Sequence, residues 1–267
     1  MSSKFRLVLS DVDGTLVPHD KILTERSLQA VRHLHDAGIM FAITSSRPPR
    51  GLGMYLEPLH LSTPIAAFNG GMIIDPDERI LEEHDIDDEI VSAIIGILEQ
   101  HNVPAWVYRG QEWYVRDASS PHVRHEADVV QFEPIEVADF DSVSDGAAKI
   151  VGASDDADAL LRARTAIDEK VGARVSATNS SAYYLDVTNP HANKGAVVDY
   201  LSSMFGVPTD AIATIGDGHN DVSMFERSGL SIAMGNAEAD VKAVANEITT
   251  SNEDDGFARA VESLILT

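Results

Sequence analysis

The amino-acid sequence predicts an α/β protein in which a doubly wound parallel sheet is interrupted by an inserted α+β domain. Two observations predict this fold. At both ends of the chain, short apolar runs alternate with helical patterns, as they do in parallel sheets covered by helices. In the middle of the chain, tight turns separate the apolar runs instead, which is typical of hairpins.

The first part of the chain alternates strands and helices. Phe5–Leu9 is a short apolar run bounded by polar residues, which predicts a buried strand. Ile39–Ile43 and Pro64–Phe68 predict two further strands of the same kind. Between the first two runs, residues 24–38 carry apolar side chains at helical spacing and end in glycine, which predicts a helix.

The pattern changes from about Gly71. The turn at residues 75–78 separates two short apolar runs, and a second turn at 109–112 separates two more, so two hairpins are expected. Apolar residues at helical spacing predict a helix over 87–101. The other elements predicted here are a helix around 160–167 and strands at 147–151, 174–177 and 183–187.

After Asn189 and Pro190 the strand–helix alternation returns. Its predicted elements are helices over 194–205, 220–227, 238–245 and 257–264, and strands at 211–215, 230–233 and 247–249. The simplest organisation is a core domain of residues 1–82 and 189–267 and an inserted domain of residues 83–188. The insert has roughly 100 residues, a size that a separate domain can have.

Composition excludes several classes of function. The chain has no cysteine, which excludes disulfides, thiolate metal sites and cysteine nucleophiles. Its net charge of -23 argues against a nucleic-acid partner, because phosphate backbones are bound by clustered Lys and Arg. No stretch approaches the roughly 18 apolar residues of a membrane span, and no secretory signal is recognisable. A cytoplasmic protein without a membrane partner is therefore expected.

The strongest chemical signal is Asp11-Val12-Asp13-Gly14-Thr15, directly after the first predicted strand. In open α/β sheets, ligands bind beyond the carboxyl ends of the strands. Two carboxylates at that edge suit a hard cation such as Mg²⁺. Gly216-Asp217-Gly218-His219-Asn220-Asp221 follows another apolar strand and adds two more carboxylates at a strand end. Two such loops in one sheet indicate a Mg²⁺ site.

Two weaker signals accompany these loops. Thr44-Ser45-Ser46-Arg47 follows the second strand, where hydroxyl and backbone N–H groups at a helix start suit a phosphate group. Lys194 begins a helix just after the predicted insert. Each has an ordinary alternative, because Ser and Thr cap helices and a single Lys is commonly a solvated surface residue. Each of these two signals is weak by itself.

In order and placement, these segments resemble the four signature motifs of the haloacid dehalogenase-like (HAD) hydrolase superfamily. The loop Phe68–Gly71 and the long insert before Lys194 resemble its Cof-type branch, which carries a type-two cap there. The resemblance implies a Rossmann-like HAD core with an α+β cap. It also implies an Mg²⁺-dependent phosphatase that acts on small phosphorylated metabolites, such as sugar phosphates, through an aspartyl-phosphate.

The resemblance assigns roles to individual residues. Asp11 would be the nucleophile, and Asp13 would act as general acid and then general base. Asp11, Asp13 through its carbonyl and Asp217 would hold Mg²⁺, with Asp221 supporting bound waters or Lys194. The phosphate-binding candidates are Ser45, Ser46, Lys194 and Asn220, and the further substrate candidates are Arg47, Asn69, Gly70 and His191.

Three alternatives remain open at this point. The family commonly has Thr-Gly-Arg where this chain has Ser45-Ser46-Arg47, so either Thr44 or Ser45 supplies the hydroxyl of that motif. The chain resembles sugar phosphomutases with the same cap type as well as phosphatases. It also shares acidic strand ends and a lysine with non-enzymatic receiver domains, which lack both the long insert and a carboxylate matching Asp13.

Overall fold

The computed structural model of the protein describes residues 3–267. The chain divides into two compact units. Unit 1 consists of Met1–Ser45, Gly53–Leu81 and Asn193–Thr267, and unit 2 consists of Ser46–Leu52 and Glu82–Ala192. These bounds differ from those predicted for core and insert chiefly at residues 46–52, which group with unit 2. The assignment of the units as core and cap domains stays a prediction.

Strands and helices alternate in the first and last parts of the chain, and hairpins interrupt the alternation in the middle. In chain order the strands of residues 3–267 are β1 (Leu7–Asp11), β2 (Met40–Thr44), β3 (Ile65–Ala67), β4 (Met72–Ile74), β5 (Ile80–Glu83), β6 (Ala105–Arg109), β7 (Glu112–Val115), β8 (Ile135–Glu136), β9 (Ala147–Ala153), β10 (Ser176–Asn179), β11 (Tyr184–Thr188), β12 (Ile212–Gly216), β13 (Leu230–Ala233) and β14 (Glu247–Ile248). The α-helices are α1 (Glu25–Asp36), α2 (Gly53–Leu56), α3 (Asp88–Gln100), α4 (Pro121–Val130), α5 (Ala157–Val171), α6 (Lys194–Phe205), α7 (Val222–Phe225), α8 (Ala239–Val244) and α9 (Gly256–Ala260).

Unit 1 is built around an eight-stranded sheet with the order β14-β13-β12-β1-β2-β3-β4-β5. The strands from β14 to β3 pair in parallel, and β4 pairs antiparallel with β3. The central strands β1 and β12 are buried along their whole length, as expected for strands covered on both faces. The predicted α/β class with a parallel sheet is confirmed. The hairpin after Gly71 adds its strands to one edge of this sheet.

Helix caps position the helices of unit 1. Thr24 is the N-cap of α1 and accepts a hydrogen bond from the backbone N–H of Ser27 at 3.0 Å. Asn193 caps α6 in the same way, accepting from the N–H of Ala196 at 2.9 Å. At its other end, α6 stops at Gly206, whose φ of 60° is left-handed. The Asn193 cap makes Lys194 the first residue of α6.

Unit 2 contains a six-stranded sheet with the order β10-β11-β9-β6-β7-β8. All its pairs except β7 with β8 are antiparallel. One face packs against α3 and α5 through buried aliphatic side chains such as Ile94, Ile150, Leu160 and Val187. This arrangement agrees with the predicted α+β character of the middle of the chain.

Some elements differ from the sequence prediction. Residues 49–56 form a 3₁₀ turn followed by α2, where no helix was predicted. The helix predicted over 220–227 is shorter, because residues 219–221 form a 3₁₀ turn before α7 begins. Strand β8 has only two residues, too few to produce a recognisable alternation. These short segments take their form from neighbouring parts of the fold rather than from local periodicity.

Candidate functional site

Two neighbouring strands of unit 1 bring the predicted acidic loops together. β1 ends at Asp11 and pairs in parallel with β12, which ends at Gly216. Both strands therefore deliver their following loops to the same edge of the sheet. The ligand oxygens of Asp11, Asp217 and Asp221 all lie within 4.8 Å of one another. The structure thus assembles three carboxylates from two distant segments of the chain.

Lys194 lies at the centre of this carboxylate cluster. Its Nζ donates to Asp11 Oδ1 at 2.5 Å and to Asp221 Oδ1 at 2.6 Å. The Lys194 side chain is fully buried, and those of Asp11 and Asp221 are almost so. A buried ammonium of this kind is tolerated because two carboxylates compensate its charge.

The cluster has strongly perturbed acid–base properties. Burial raises the pKa of Asp11 well above its usual range, Lys194 opposes that rise, and Asp221 and Asp217 add to it. Burial and the charge of Asp221 raise the pKa of Asp217 to about 6. Burial alone would lower the pKa of Lys194, but Asp11 and Asp221 outweigh it and raise that pKa. Three carboxylates share one ammonium, so the cluster favours binding of a further positive charge.

Asp221 also fixes the backbone of its own loop. Its Oδ2 accepts hydrogen bonds from the N–H groups of Asp217 and Gly218, both at 2.9 Å. The same carboxylate therefore holds the loop with one oxygen and Lys194 with the other. This explains why a carboxylate is buried completely at position 221.

The Asp217 carboxylate is held by Thr15, which lies just after Asp11, and by Asn236 from later in the chain. Thr15 Oγ1 donates to Asp217 Oδ1 at 3.1 Å, and Asn236 Nδ2 donates to Asp217 Oδ2 at 3.0 Å. Gly14 has a φ of 80°, and a Cβ atom there would collide with the Asp217 carboxylate. Glycine at position 14 is therefore required both by the backbone and by the close approach of Asp217.

The Asn69–Gly70 loop joins the same end of the sheet. Asn220 Nδ2 donates to Asn69 Oδ1 at 2.9 Å, and the Asn69 N–H donates to the Ser45 carbonyl at 2.7 Å. Gly70 has a φ of 95°, and a Cβ atom there would press on Val197 in α6. Unit 1 thus brings together Asn69, Gly70, Ser45 and Asn220.

The second-motif hydroxyls lie at the end of β2. Thr44 pairs with Asp11 in the sheet register, and both Thr44 and Ser45 are buried. Thr44 Oγ1 has no hydrogen-bond partner within residues 3–267. The Ser45 N–H donates to the Ala66 carbonyl at 2.9 Å, which fixes this turn against β3. Either hydroxyl therefore remains a candidate.

Three other predicted residues belong to unit 2. Arg47 is buried, and its guanidinium donates to the carbonyls of Gly51 and Val129 at 3.3 and 3.1 Å. Ser46 accepts a hydrogen bond through its carbonyl, from Lys149. His191 is exposed, and its ring lies 5.7 Å from that of His84. These hydrogen bonds and this ring contact all lie within unit 2.

Asp13 lies beside the carboxylate cluster in the chain but has a different partner. Its carboxylate forms an ion pair with Lys21 at 2.8 Å, and about a third of each side chain is exposed. Sequence reasoning missed Lys21 because it lies in a polar loop without periodicity. It also missed Asn236, a single amide far along the chain. Thr15 belongs to the Asp11–Thr15 motif, but no role was predicted for it.

The donor set fits a hard divalent cation. Asp11, Asp217 and Asp221 offer carboxylate oxygens, which are the ligands that Mg²⁺ prefers. Lys194 neutralises only part of their charge, and burial together with the charge of Asp221 raises the pKa of Asp217. A divalent cation would relieve this repulsion. The cluster is therefore a possible metal site.

Comparison with known proteins agrees with this geometry. Residues 8–261 match the sequence profile of haloacid dehalogenase-like hydrolases. The 5-amino-6-(5-phospho-D-ribitylamino)uracil phosphatase YitU of Bacillus subtilis is 28% identical, with 97% of each chain aligned. A haloacid dehalogenase-like hydrolase from Bacteroides thetaiotaomicron superimposes with a TM-score of 0.90 at 26% identity, covering 98% of this chain and all of that one.

A further solved structure shares the fold. The HAD subclass IIB sugar phosphatase BT4131 superimposes with a TM-score of 0.85 at 21% identity, covering 96% of this chain and 98% of that one. Within residues 3–267, every helix is too short or too polar to cross a membrane. The chain belongs to the haloacid dehalogenase-like hydrolase family, in its Cof-type branch, and is an enzyme of the phosphatase class.

Proposed function

We propose that this enzyme hydrolyses phosphate monoesters of small metabolites through an aspartyl-phosphate on Asp11, with the help of Mg²⁺. One observation carries the proposal: Lys194 Nζ bridges Asp11 and Asp221, and the Asp217 carboxylate lies in the same cluster. An oriented carboxylate beside a buried cation is the arrangement that nucleophilic attack on an anionic phosphoryl group needs.

Asp11 attacks phosphorus through a carboxylate oxygen. Lys194 holds the Asp11 carboxylate in a single orientation and offers positive charge to the transferring phosphoryl oxygens. The hydroxyl of Ser45 or Thr44 and the amide of Asn220 are placed at the same sheet edge and would bind those oxygens. Asn69 supports this arrangement by accepting the hydrogen bond from Asn220.

Asp13 is the proposed general acid and base. In the first step it would protonate the leaving alcohol, and in the second it would take a proton from the attacking water. Its partner Lys21 is partly exposed, so this ion pair can open at little cost when substrate arrives. The carboxylate at position 13 distinguishes this chain from receiver-type phospho-acceptors.

Asp11, the carbonyl of Asp13 and Asp217 would hold Mg²⁺, with Asp221 supporting the site from behind. The cation supplies positive charge that lets an anionic substrate enter an acidic site and that stabilises the transferring phosphoryl group. Asp221 contributes by fixing the Asp217 and Gly218 N–H groups and by pairing with Lys194.

The substrate is proposed to be a sugar phosphate or a similar metabolite. The names of two similar proteins, a ribitylaminouracil phosphatase and a sugar phosphatase, describe phosphate esters that carry several hydroxyl groups. The inserted domain of residues 83–188 is proposed to bind and select the organic part of the substrate, beyond the phosphate.

The proposal is tested most simply with p-nitrophenyl phosphate. The purified protein should release p-nitrophenol and phosphate when Mg²⁺ is present, and EDTA should stop the release until Mg²⁺ is restored. Absence of turnover at every Mg²⁺ concentration would contradict the proposal. Interconversion of sugar phosphates on addition of a sugar bisphosphate, without net phosphate release, would indicate the phosphomutase alternative instead.

Binding of Mg²⁺ should depend on pH. The pKa of Asp217 is about 6 in the folded chain and 3.8 in its reference state, so the metal-free fold binds this proton more tightly than the unfolded chain. This tighter proton binding stabilises the metal-free fold below pH 3.8, and the stabilisation is lost as pH rises through 6. Because the cation must displace this proton, we expect roughly tenfold weaker Mg²⁺ binding at pH 5 than at pH 7.5.

Calorimetric titration of the metal-free protein at both pH values measures this difference. Asp217→Asn removes the titrating group and should bind Mg²⁺ weakly at both pH values. Asp199→Asn, an exposed change elsewhere in unit 1, serves as the control. Equal affinity of the unaltered protein at pH 5 and pH 7.5 would show that Asp217 does not carry the cation.

A further inference from the structure

Two neutral side chains hold the Asp217 carboxylate, one on each of its oxygens. Thr15 Oγ1 donates to Oδ1 at 3.1 Å, and Asn236 Nδ2 donates to Oδ2 at 3.0 Å. The Gly14 backbone packs against the same carboxylate so closely that no Cβ atom fits between them. Because each donor holds a different oxygen, the carboxylate must break a hydrogen bond to turn about its Cβ–Cγ bond.

The Asn236 amide is itself fixed at both ends. Its Nδ2 also donates to the Gly14 carbonyl at 2.9 Å, and its Oδ1 accepts a hydrogen bond from the Asn252 N–H at 3.0 Å. These partners determine which end of the amide faces Asp217. Asn252 is nearly buried and donates through Nδ2 to the Val17 carbonyl at 3.2 Å. Asn236 therefore ties the loop that follows β12 to the loop that follows β1.

The neutrality of these donors suits a cation ligand. Lys194 donates to Asp11 and Asp221, and its positive charge partly cancels theirs. Asn236 and Thr15 orient the Asp217 carboxylate without adding positive charge beside it. The negative charge of Asp217 therefore remains available to a cation, while its orientation is set in advance. Hydrogen-bond partners of this kind commonly tune the metal affinity of the carboxylate that they hold.

A carboxylate held in one orientation does not serve all divalent cations equally. Mg²⁺ is small and demands near-ideal octahedral geometry with short metal–oxygen distances. Ca²⁺ is larger, tolerates variable geometry and often takes both oxygens of one carboxylate. Fixing Asp217 lowers the cost of ordering it for Mg²⁺, and it hinders the reorientation by which the carboxylate adapts to Ca²⁺.

We propose that Asn236 is a positioning residue that acts through Asp217 to raise the affinity for Mg²⁺ relative to Ca²⁺. Thr15 is its counterpart on the other carboxylate oxygen. This inference rests on the proposed function, because it takes the cluster of Asp11, Asp217 and Asp221 as the Mg²⁺ site. It adds the residues that select the cation.

The experiment is calorimetric titration of the metal-free protein with MgCl₂ and, separately, with CaCl₂ at pH 7.5. In Asn236→Ala, the Kd for Mg²⁺ should rise ~10-fold, whereas the Kd for Ca²⁺ should rise by no more than ~threefold. The ratio of the Ca²⁺ Kd to the Mg²⁺ Kd should therefore fall by at least ~threefold. Asn236 is exposed, so the substitution should leave the fold intact.

A second variant and a control accompany this one. Thr15→Val removes the other donor at nearly constant side-chain volume, and it should lower the same ratio. Asn246→Ala is the control, because the Asn246 amide also accepts a backbone hydrogen bond in unit 1, but from Ser231 rather than beside Asp217. It should leave both Kd values unchanged. Thermal unfolding of the metal-free preparations checks that all three variants are folded.

The outcomes separate the two proposals. A loss of affinity confined largely to Mg²⁺ supports the inference. Equal losses for the two cations, or no loss for Mg²⁺, in folded Asn236→Ala would show that the amide only supports the loop and would overturn it. If Asn236→Ala does not fold, the same criteria apply to Thr15→Val. Failure of the unaltered protein to bind Mg²⁺ would instead contradict the proposed function itself.

Discussion

Asp11→Asn should abolish turnover at saturating Mg²⁺, with kcat at least ~10⁴-fold lower than that of the unaltered enzyme. An amide is a far weaker nucleophile than a carboxylate and cannot form the aspartyl-phosphate. The fold should survive, because the variant removes one of three clustered carboxylates while Lys194 keeps Asp221 as its partner. Since burial and neighbouring carboxylates raise the pKa of Asp11, relief of this repulsion should leave metal-free stability at pH 7.5 unchanged or higher.

The measurement combines steady-state phosphate release with thermal unfolding of the same preparations. Asp199→Asn is the matched control, because it makes the same chemical change at an exposed ion pair with Arg227. It should retain the kcat of the unaltered enzyme. Turnover by a folded Asp11→Asn variant at a rate near that of the control would show that another group attacks phosphorus.

Lys194→Met should affect both stability and activity. The substitution leaves two buried carboxylates without their ammonium, so we expect metal-free unfolding free energy at pH 7.5 to fall by ~3–5 kcal/mol. The loss should be smaller at pH 5, because burial raises the pKa of Asp11 and its protonation removes the repulsion between the two carboxylates. At saturating Mg²⁺, kcat should fall ~10²–10³-fold, because the Lys194 ammonium no longer stabilises the charge on the transferring phosphoryl group.

Denaturant unfolding at the two pH values and phosphate release at saturating Mg²⁺ measure these effects. Arg227→Met is the control, because it removes an exposed cation whose ion pair is worth only ~0–1 kcal/mol. A stability loss for Lys194→Met no larger than that of Arg227→Met would contradict the central position given to Lys194. So would an unchanged kcat.

Much of the fold was predictable because its signals are local. Strands β1, β2 and β12 are buried and apolar. Their length and composition predict them without any knowledge of the tertiary structure. Helix α6 was predictable from its start and from its terminal glycine. Residues 49–56 and β8 were not, because such short segments adopt their structure through contacts rather than through periodicity.

Part of the site was also predictable, because the direction of the parallel strands determines which residues meet at one edge of the sheet. Parallel strands place their carboxyl ends together, so Asp11 and Asp217 were expected at one edge, and the structure brings Lys194 to both Asp11 and Asp221. The hydrogen bond from Asn236 to Asp217 was not predictable, because a single amide gives no pattern. The placement of residues 46–52 with unit 2 depends on contacts made by Arg47 with a distant helix.

The central claim is that Asp11 carries the phosphoryl group during turnover. The direct measurement is to quench the enzyme during steady-state hydrolysis, reduce the acyl-phosphate with borohydride and identify the modified residue by mass spectrometry. We expect homoserine at position 11, dependent on substrate and Mg²⁺. With p-nitrophenyl phosphate, whose leaving group does not need protonation by Asp13, homoserine should be more abundant in Asp13→Asn, where activation of water is impaired. Homoserine at another carboxylate, with position 11 unmodified in both enzymes, would contradict the account.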